Sequence, residues 1–476
     1  MNINHRAWKK TVLIFCLFIF NPVYSQNFQS FINRINLLPE SSRQAVVDSF
    51  ILAQPRFPVT ESDSLCHFIF TGSAQQLSMA GDATNWNPSQ SLLHVSGTNF
   101  WYRSEVYESD ARLDYTFIVN GSNWILDPRN PYTCAGGFGA NSELRMPDYI
   151  LPTEVIYNAG IAHGSVFDTN FFSTNLQNSR KIWVYTPPGY SPQQQYPSIY
   201  FHDGDGYLAL ASIKNVLDNL ISENRIKPII AVFIPPVNRT DEYAGSQQNA
   251  FTKFITEEVV SWVDGRFSTV KEASQRANMG ASNGGNISLW LAVSHPEIFG
   301  LVAAQSSNIQ NNITTTLQNG GFLNLKFYID IGTYDIPILI PMVKNFKQQL
   351  ENLGYQYVYH EFHEGHSWGN WKARQAEILE YFFGTGSGII QTSHQKSLQI
   401  QFDSASNSIL IQSLENLQAP FLLEIHNIQG QKLYSVSPEL ISQKILKAKI
   451  PENIHGINIV RITTKNQEAS TKILLQ

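Results

Sequence analysis

Gly280-Ala281-Ser282-Asn283-Gly284 reads G-x-S-x-G and is followed at once by Gly285. A serine flanked this way suits one backbone shape, a tight strand-to-helix turn whose glycines let backbone pass where a Cβ would collide. The surroundings agree. Arg276-Ala277-Asn278-Met279 supplies a strand before the turn, and Ile287-Ser288-Leu289-Trp290-Leu291-Ala292-Val293 supplies a helix after it, ended with the help of Pro296. Such a turn holds the hydroxyl above the sheet, and the helix N-terminus presents amide donors to a developing negative oxygen. A purely structural Gly-rich loop is the alternative, and the strand and helix on either side argue against it.

The sequence around this turn alternates apolar strands with helical stretches, the pattern of a mostly parallel sheet with crossovers. Expected strands are 181–185, 198–201, 229–234, 277–279, 301–304, 325–331 and 356–361, with a helix over 342–353 between the last two. Several are apolar on both faces, as buried parallel strands are.

The flanks read differently. With 476 residues the chain exceeds one core. Arg6, Lys9 and Lys10 precede the apolar run Thr11–Phe20, and Val23 and Ser25 sit at −3 and −1 of a cut before Gln26, so residues 1–25 are expected to be a signal peptide. No later run is long enough for a membrane span. A formal charge of −5 without a basic run excludes a nucleic-acid footprint. Residues 26–60 form an N-terminal segment. Residues 61–150 carry short alternating strands and turns, as in a small β-sandwich. Residues 151–385 are the α/β domain, 386–397 a linker, and 398–476 a second small all-β module. After signal removal Cys66 and Cys134 remain, either bridged or as two buried thiols.

A serine nucleophile needs a base and an acid that orients the base. In α/β-hydrolases these follow in the order Ser, acid, His. Asp335 lies just past a strand end, and His366 lies in the loop after the last strand, giving Ser282, Asp335 and His366. Asp330 is a second candidate acid and His363 a second candidate base. A zinc reading of His360, His363 and His366 is disfavoured because Tyr357-Val358-Tyr359 reads as strand, so neither metal nor cofactor is expected. Tyr200–Tyr207 ends a central strand, where the amide near Asp205 can join that of Asn283 in holding an oxyanion. His202, Tyr207, Arg239, Trp368 and Trp371 are candidate pocket residues.

Thr186-Pro187-Pro188-Gly189-Tyr190, His202-Asp203-Gly204, Arg239-Thr240-Asp241-Glu242-Tyr243, the Gly280 turn and Gly365-His366-Ser367-Trp368 together resemble an esterase family. It includes enterochelin esterases and carbohydrate esterase family one, the feruloyl and acetylxylan esterases. The resemblance implies an α/β-hydrolase fold with Ser282 as nucleophile, Asp335 as acid and His366 as base. Gly81–Trp86, Asp114–Phe117, Asn120–Trp124 and Asp127-Pro128 resemble carbohydrate-binding module family forty-eight. That implies sugar stacking on Trp86 and Trp124, although Thr116 stands where relatives carry a sugar-contacting Lys. Residues 421–433, 455–462 and 471–475 resemble the sorting domain of the type nine secretion system, which implies the secretion machinery as a partner.

These readings converge on a secreted or cell-surface serine esterase acting on acylated polysaccharide or oligosaccharide, of feruloyl or acetyl-xylan type. A siderophore esterase and a non-catalytic glycan-binding protein are the other readings.

Overall fold

In this computed structural model the described residues are 27–137, 139–385 and, apart from short breaks, 398–475. The expected signal peptide and linker lie outside them. The middle of the chain builds a sheet of eight strands, labelled β1 (Ser165–Ser173), β2 (Asn178–Thr186), β3 (Ser198–His202), β4 (Ile230–Ile234), β5 (Arg276–Ala281), β6 (Leu301–Gln305), β7 (Lys326–Tyr334) and β8 (Gln356–Gly365). Their spatial order is β1-β2-β4-β3-β5-β6-β7-β8, antiparallel over β1-β2-β4 and parallel from β4 onward.

Period-two alternation builds the two faces. Ile230, Val232 and Ile234 of β4 join the apolar cluster on one side, while Ala231 and Phe233 join the cluster on the other. Helices cover both sides, so β3 through β6 are buried at every position. All seven expected strands are present, most a residue or more longer, and the expected helix runs Leu339–Asn352. The strand not expected is β1, an edge hairpin partner of β2. Its side chains are largely exposed, so it lacks the apolar run that marks its neighbours.

Residues 59–145 form two sheets whose apolar faces share one cluster, with Phe68 and Phe70 from one side and Met79, Tyr115 and Phe117 from the other. Two helices, Phe28–Asn36 and Glu40–Ala53, cap this sandwich through Phe31, Ile35 and Val47, which pack on Ile69 and Phe100. Cys66 and Cys134 are buried and unbridged.

The sandwich is joined to the central sheet. Strand Arg112–Val119 pairs with the end of β8 in parallel at Glu364↔Arg112, so the hydrogen-bonded sheet continues from one domain into the other. Residues 398–475 form two four-stranded sheets around a separate core that includes Ile411, Ile425, Leu446 and Val460. Among the described residues no helix is long and apolar enough to cross a membrane.

Candidate active site

β5 ends at Ala281, and α2 (Asn283–Ser294) starts one residue beyond Ser282. Ser282 has φ 58° and ψ −123°, a strained conformation for a residue with a Cβ. The surroundings enforce it. The Ser282 amide donates to the Gln305 carbonyl on β6 at 2.8 Å, and its own carbonyl accepts from Asn286 at 3.2 Å. The glycines are required by space: a Cβ on Gly280 would fall 2.4 Å from Gly284 backbone, and one on Gly284 would fall 2.7 Å from Asp203 Oδ2. The turn is therefore closed on itself and pressed against the end of β3.

Asp335 and His366 come from the ends of β7 and β8, on the same carboxyl edge of the parallel strands as Ser282. His366 Nδ1 lies 2.7 Å from Asp335 Oδ1, and the same oxygen accepts from the Ile336 amide at 2.7 Å. The carboxylate is buried, while Ser282 and His366 remain partly accessible. Trp371 packs edge-on against the imidazole, with ring centroids 5.0 Å apart, and Trp368 packs edge-on against Trp371 at 5.1 Å.

The competing candidates point elsewhere. Asp330 is fully buried in β7, accepting from the Ser306 amide at 3.2 Å and Gln305 at 3.4 Å. Burial pushes its carboxyl up to about 7. His363 pairs with Asp110 of the N-terminal sandwich at 2.6 Å, and His360 lies 2.5 Å from Glu377. The three histidines thus face three different carboxylates, and no metal-holding cluster occurs among the described residues.

The second helix start at the site is α1 (Gly204–Ala209), which follows β3 and holds Asp205 in its first turn. Asn283 is the first residue of α2, and its side-chain oxygen accepts from Asn308 at 2.9 Å. Arg239 grips Asp203 with two bonds of 2.7 and 2.8 Å and donates to the Ala281 carbonyl at 3.1 Å, tying the β3 loop to the serine turn. Neighbouring Glu242 is committed to a buried pair with Arg180.

Some expected pocket residues do not line a pocket. His202 is fully buried against Tyr243 and Phe251, and burial drives its pKa down to about 3, so it is neutral. Tyr207 is fully buried and donates to Gln305 at 3.0 Å. Trp371 is buried, and its indole donates to Ser306 at 3.1 Å. Of these three, Trp371 packs against the histidine. Trp368 and Arg239 retain partial exposure. Trp124 is exposed, whereas Trp86 is half-buried with its indole donating to Asp82 at 3.2 Å, so the two tryptophans do not stand equally free.

Sequence reasoning missed the residues behind the histidine loop. Arg112 of the sandwich donates to Ser367 Oγ at 2.9 Å, and Asp82 abuts Gly365. The signal was the pair Gly365 and Gly369 bracketing His366, whose purpose is legible only once the sandwich is docked.

Residues 173–382 match the family model described as "Putative esterase". A Bacillus subtilis protein named only as uncharacterized protein YjcH is 28% identical over 225 residues, covering 44% of this chain and 94% of that protein. The endo-1,4-beta-xylanase/feruloyl esterase of Xylanibacter ruminicola is 27% identical over 157 residues, 30% of this chain and 22% of that protein. Among solved structures, the ferric enterobactin esterase of Salmonella typhimurium superposes with a TM-score of 0.61 at 19% identity, covering 68% of this chain and 95% of that chain. The middle of this chain therefore has the fold of an α/β-hydrolase, and its match to an esterase family over residues 173–382 supports a carboxylic ester hydrolase.

Proposed function

We propose that this protein is a secreted serine carboxylesterase that removes acyl groups from plant polysaccharide, of the feruloyl or acetyl-xylan type. The observation that carries the esterase mechanism is the 2.7 Å bond between His366 Nδ1 and Asp335, on the sheet edge that also presents the strained Ser282. Ser282 Oγ attacks the ester carbonyl carbon while His366 Nε2 takes its proton. Asp335 holds Nδ1–H and stabilises the imidazolium. The oxyanion accepts from the Asn283 and Asp205 amides, both in first helical turns. Collapse of this intermediate releases the alcohol, which takes the proton from His366. Water then repeats the sequence on the acyl-enzyme, returning the acid and free Ser282.

The substrate class rests on the export signal read in residues 1–25, the two all-β modules and the xylanase/feruloyl esterase relative. A siderophore esterase is the second reading. It is favoured by the enterobactin esterase likeness, whose 68% coverage exceeds the 173–382 region and so reaches beyond the hydrolase domain. Methyl ferulate, acetylated xylan and ferric enterobactin assayed side by side separate the two. Turnover of ferulate or acetylxylan with none of enterobactin supports the polysaccharide reading, and the reverse overturns it. Equal activity in wild type and Ser282→Ala would make the chain a non-catalytic glycan binder with adventitious hydrolysis.

A further inference from the structure

The two groups proposed as base and acid share an unusual neighbour. Both are backed by residues of the N-terminal sandwich rather than by the hydrolase domain alone. On the acid side, Tyr334, next to Asp335, donates its hydroxyl to Glu108 of the sandwich at 2.7 Å. On the base side, the chain on either side of His366 is pressed onto the sandwich. A Cβ on Gly365 would fall 2.0 Å from Asp82 Cγ, and one on Gly369 would fall 2.0 Å from Arg112 Cζ.

Between these contacts sits the guanidinium of Arg112, with no solvent exposure. Its charge is balanced by Asp114, by Glu143 at 3.3 Å and by Glu364 of β8 at 3.9 Å. Its Nη1 donates to Ser367 Oγ at 2.9 Å. That hydroxyl is also the N-cap of helix α3 (Trp368–Ala373), accepting from the Asn370 amide at 3.4 Å. Asn370 in turn donates its side-chain amide to the Gly365 carbonyl at 3.1 Å, closing a ring of bonds around residue 366. A buried ion cluster, in which Arg112 meets Asp114, Glu143 and Glu364 and the last two also pair with Arg145 and Arg374, is a costly way to glue two domains, since apolar side chains of similar volume do so with no desolvation penalty. What the guanidinium adds is direction. Its planar fork fixes the place of Ser367, and so of the preceding backbone, more tightly than packing does.

We infer that Arg112 is a positioning residue for the esterase: acting through Ser367, it holds the 365–369 segment so that the His366 imidazole stays bonded to Asp335 and aimed at Ser282. The inference rests on the reading of His366 as the base. The sandwich thereby completes the hydrolase site from behind, and the parallel pairing at Glu364↔Arg112 makes the junction continuous with the sheet that carries the site.

The test uses the full-length enzyme with two substitutions. Arg112→Lys keeps the charge and loses the fork, while Ser367→Ala leaves the ion cluster whole and cuts the link to the loop. With p-nitrophenyl acetate, kcat should fall about 10- to 100-fold in each, with KM changed less than about threefold. The second readout needs no substrate. The downfield proton resonance of His366 Nδ1–H, assigned by its loss in His366→Ala, should broaden or move upfield in both variants. A folded Ser367→Ala protein with wild-type kcat and an unchanged resonance would overturn the inference, whether or not Arg112→Lys folds. If the resonance responds as described but wild type shows no Ser282-dependent hydrolysis, the esterase reading fails and the positioning role stands.

Discussion

Replacing Asp335 by asparagine separates charge from geometry at the site. The side chain is buried; Oδ1 accepts both the His366 ring and the Ile336 amide at 2.7 Å. Asparagine can keep its oxygen in that place and preserve both bonds, putting its amide group where Oδ2 stood. The loss is then the attraction between a carboxylate and the imidazolium formed in the transition state. Two unit charges about 4 Å apart at an effective dielectric near 20 attract by about 4 kcal/mol. At 1.36 kcal/mol per tenfold that removes about three powers of ten from kcat. If the amide instead turns its N–H₂ toward Nδ1, it selects the wrong tautomer and the loss approaches the ~10⁴ known for such a change in serine proteases. Stopped assays with p-nitrophenyl acetate, on protein whose Tm shows it folded, read this directly. Asp330→Asn is the control, because Asp330 bonds to Ser306 and Gln305 and does not touch His366. It should stay within about fivefold of wild type at pH 7. An Asp335→Asn enzyme within tenfold of wild type, or an Asp330→Asn enzyme crippled as severely, would refute the assignment of the acid.

Three further outcomes follow from particular residues. The Asp330 carboxyl is raised by burial to about 7 in the folded state, so the folded chain holds its proton more tightly than the unfolded one. The resulting stabilisation is fully present below about pH 4 and is lost as pH rises through 7. Asp330→Asn should therefore flatten the stability profile between pH 4 and 7 and be the more stable protein at pH 8 by up to about 4 kcal/mol, measured by urea unfolding; a profile parallel to wild type contradicts this. Trp86 is engaged with Asp82, so a two-tryptophan sugar platform is incomplete. Trp124→Ala should leave both kcat on a soluble ester and mobility through xylan-containing native gels unchanged, and wild-type retardation abolished by the substitution would make the sandwich a true glycan anchor. Ending the chain after Gln395 removes a module with its own core; kcat/KM for a soluble ester should not change, while delivery to the cell surface should be lost. A well-folded truncated enzyme with much reduced kcat/KM would show that the tail helps build the site.

The central sheet was legible because its interior strands are apolar at successive positions and the serine turn fixes where strand gives way to helix. Ser282, Asp335 and His366 were proposed from chain order and strand-end placement, and the structure brings the last two into a hydrogen bond. Edge strand β1 was not, since an exposed strand carries no apolar signature. His202 and Tyr207 were misplaced for a related reason: a polar side chain near a strand end looks functional in sequence, yet here both are fully buried. Neither were the residues of the sandwich-to-hydrolase junction visible. Asp82 and Arg112 lie more than 250 residues before Gly365 and Ser367 in the chain, and nothing local in their segments marks them as neighbours.

The claim that Ser282 is the nucleophile is tested most directly by trapping it. Full-length enzyme incubated with a p-nitrophenyl alkylphosphonate should release one p-nitrophenol per chain and lose all esterase activity in step. Mass spectrometry of the digest should place a single phosphonyl group on the peptide bearing Ser282, with Ser282→Ala protein unlabelled. Labelling of Ser282→Ala at the wild-type rate, or full hydrolysis by enzyme stoichiometrically labelled at Ser282, would contradict it.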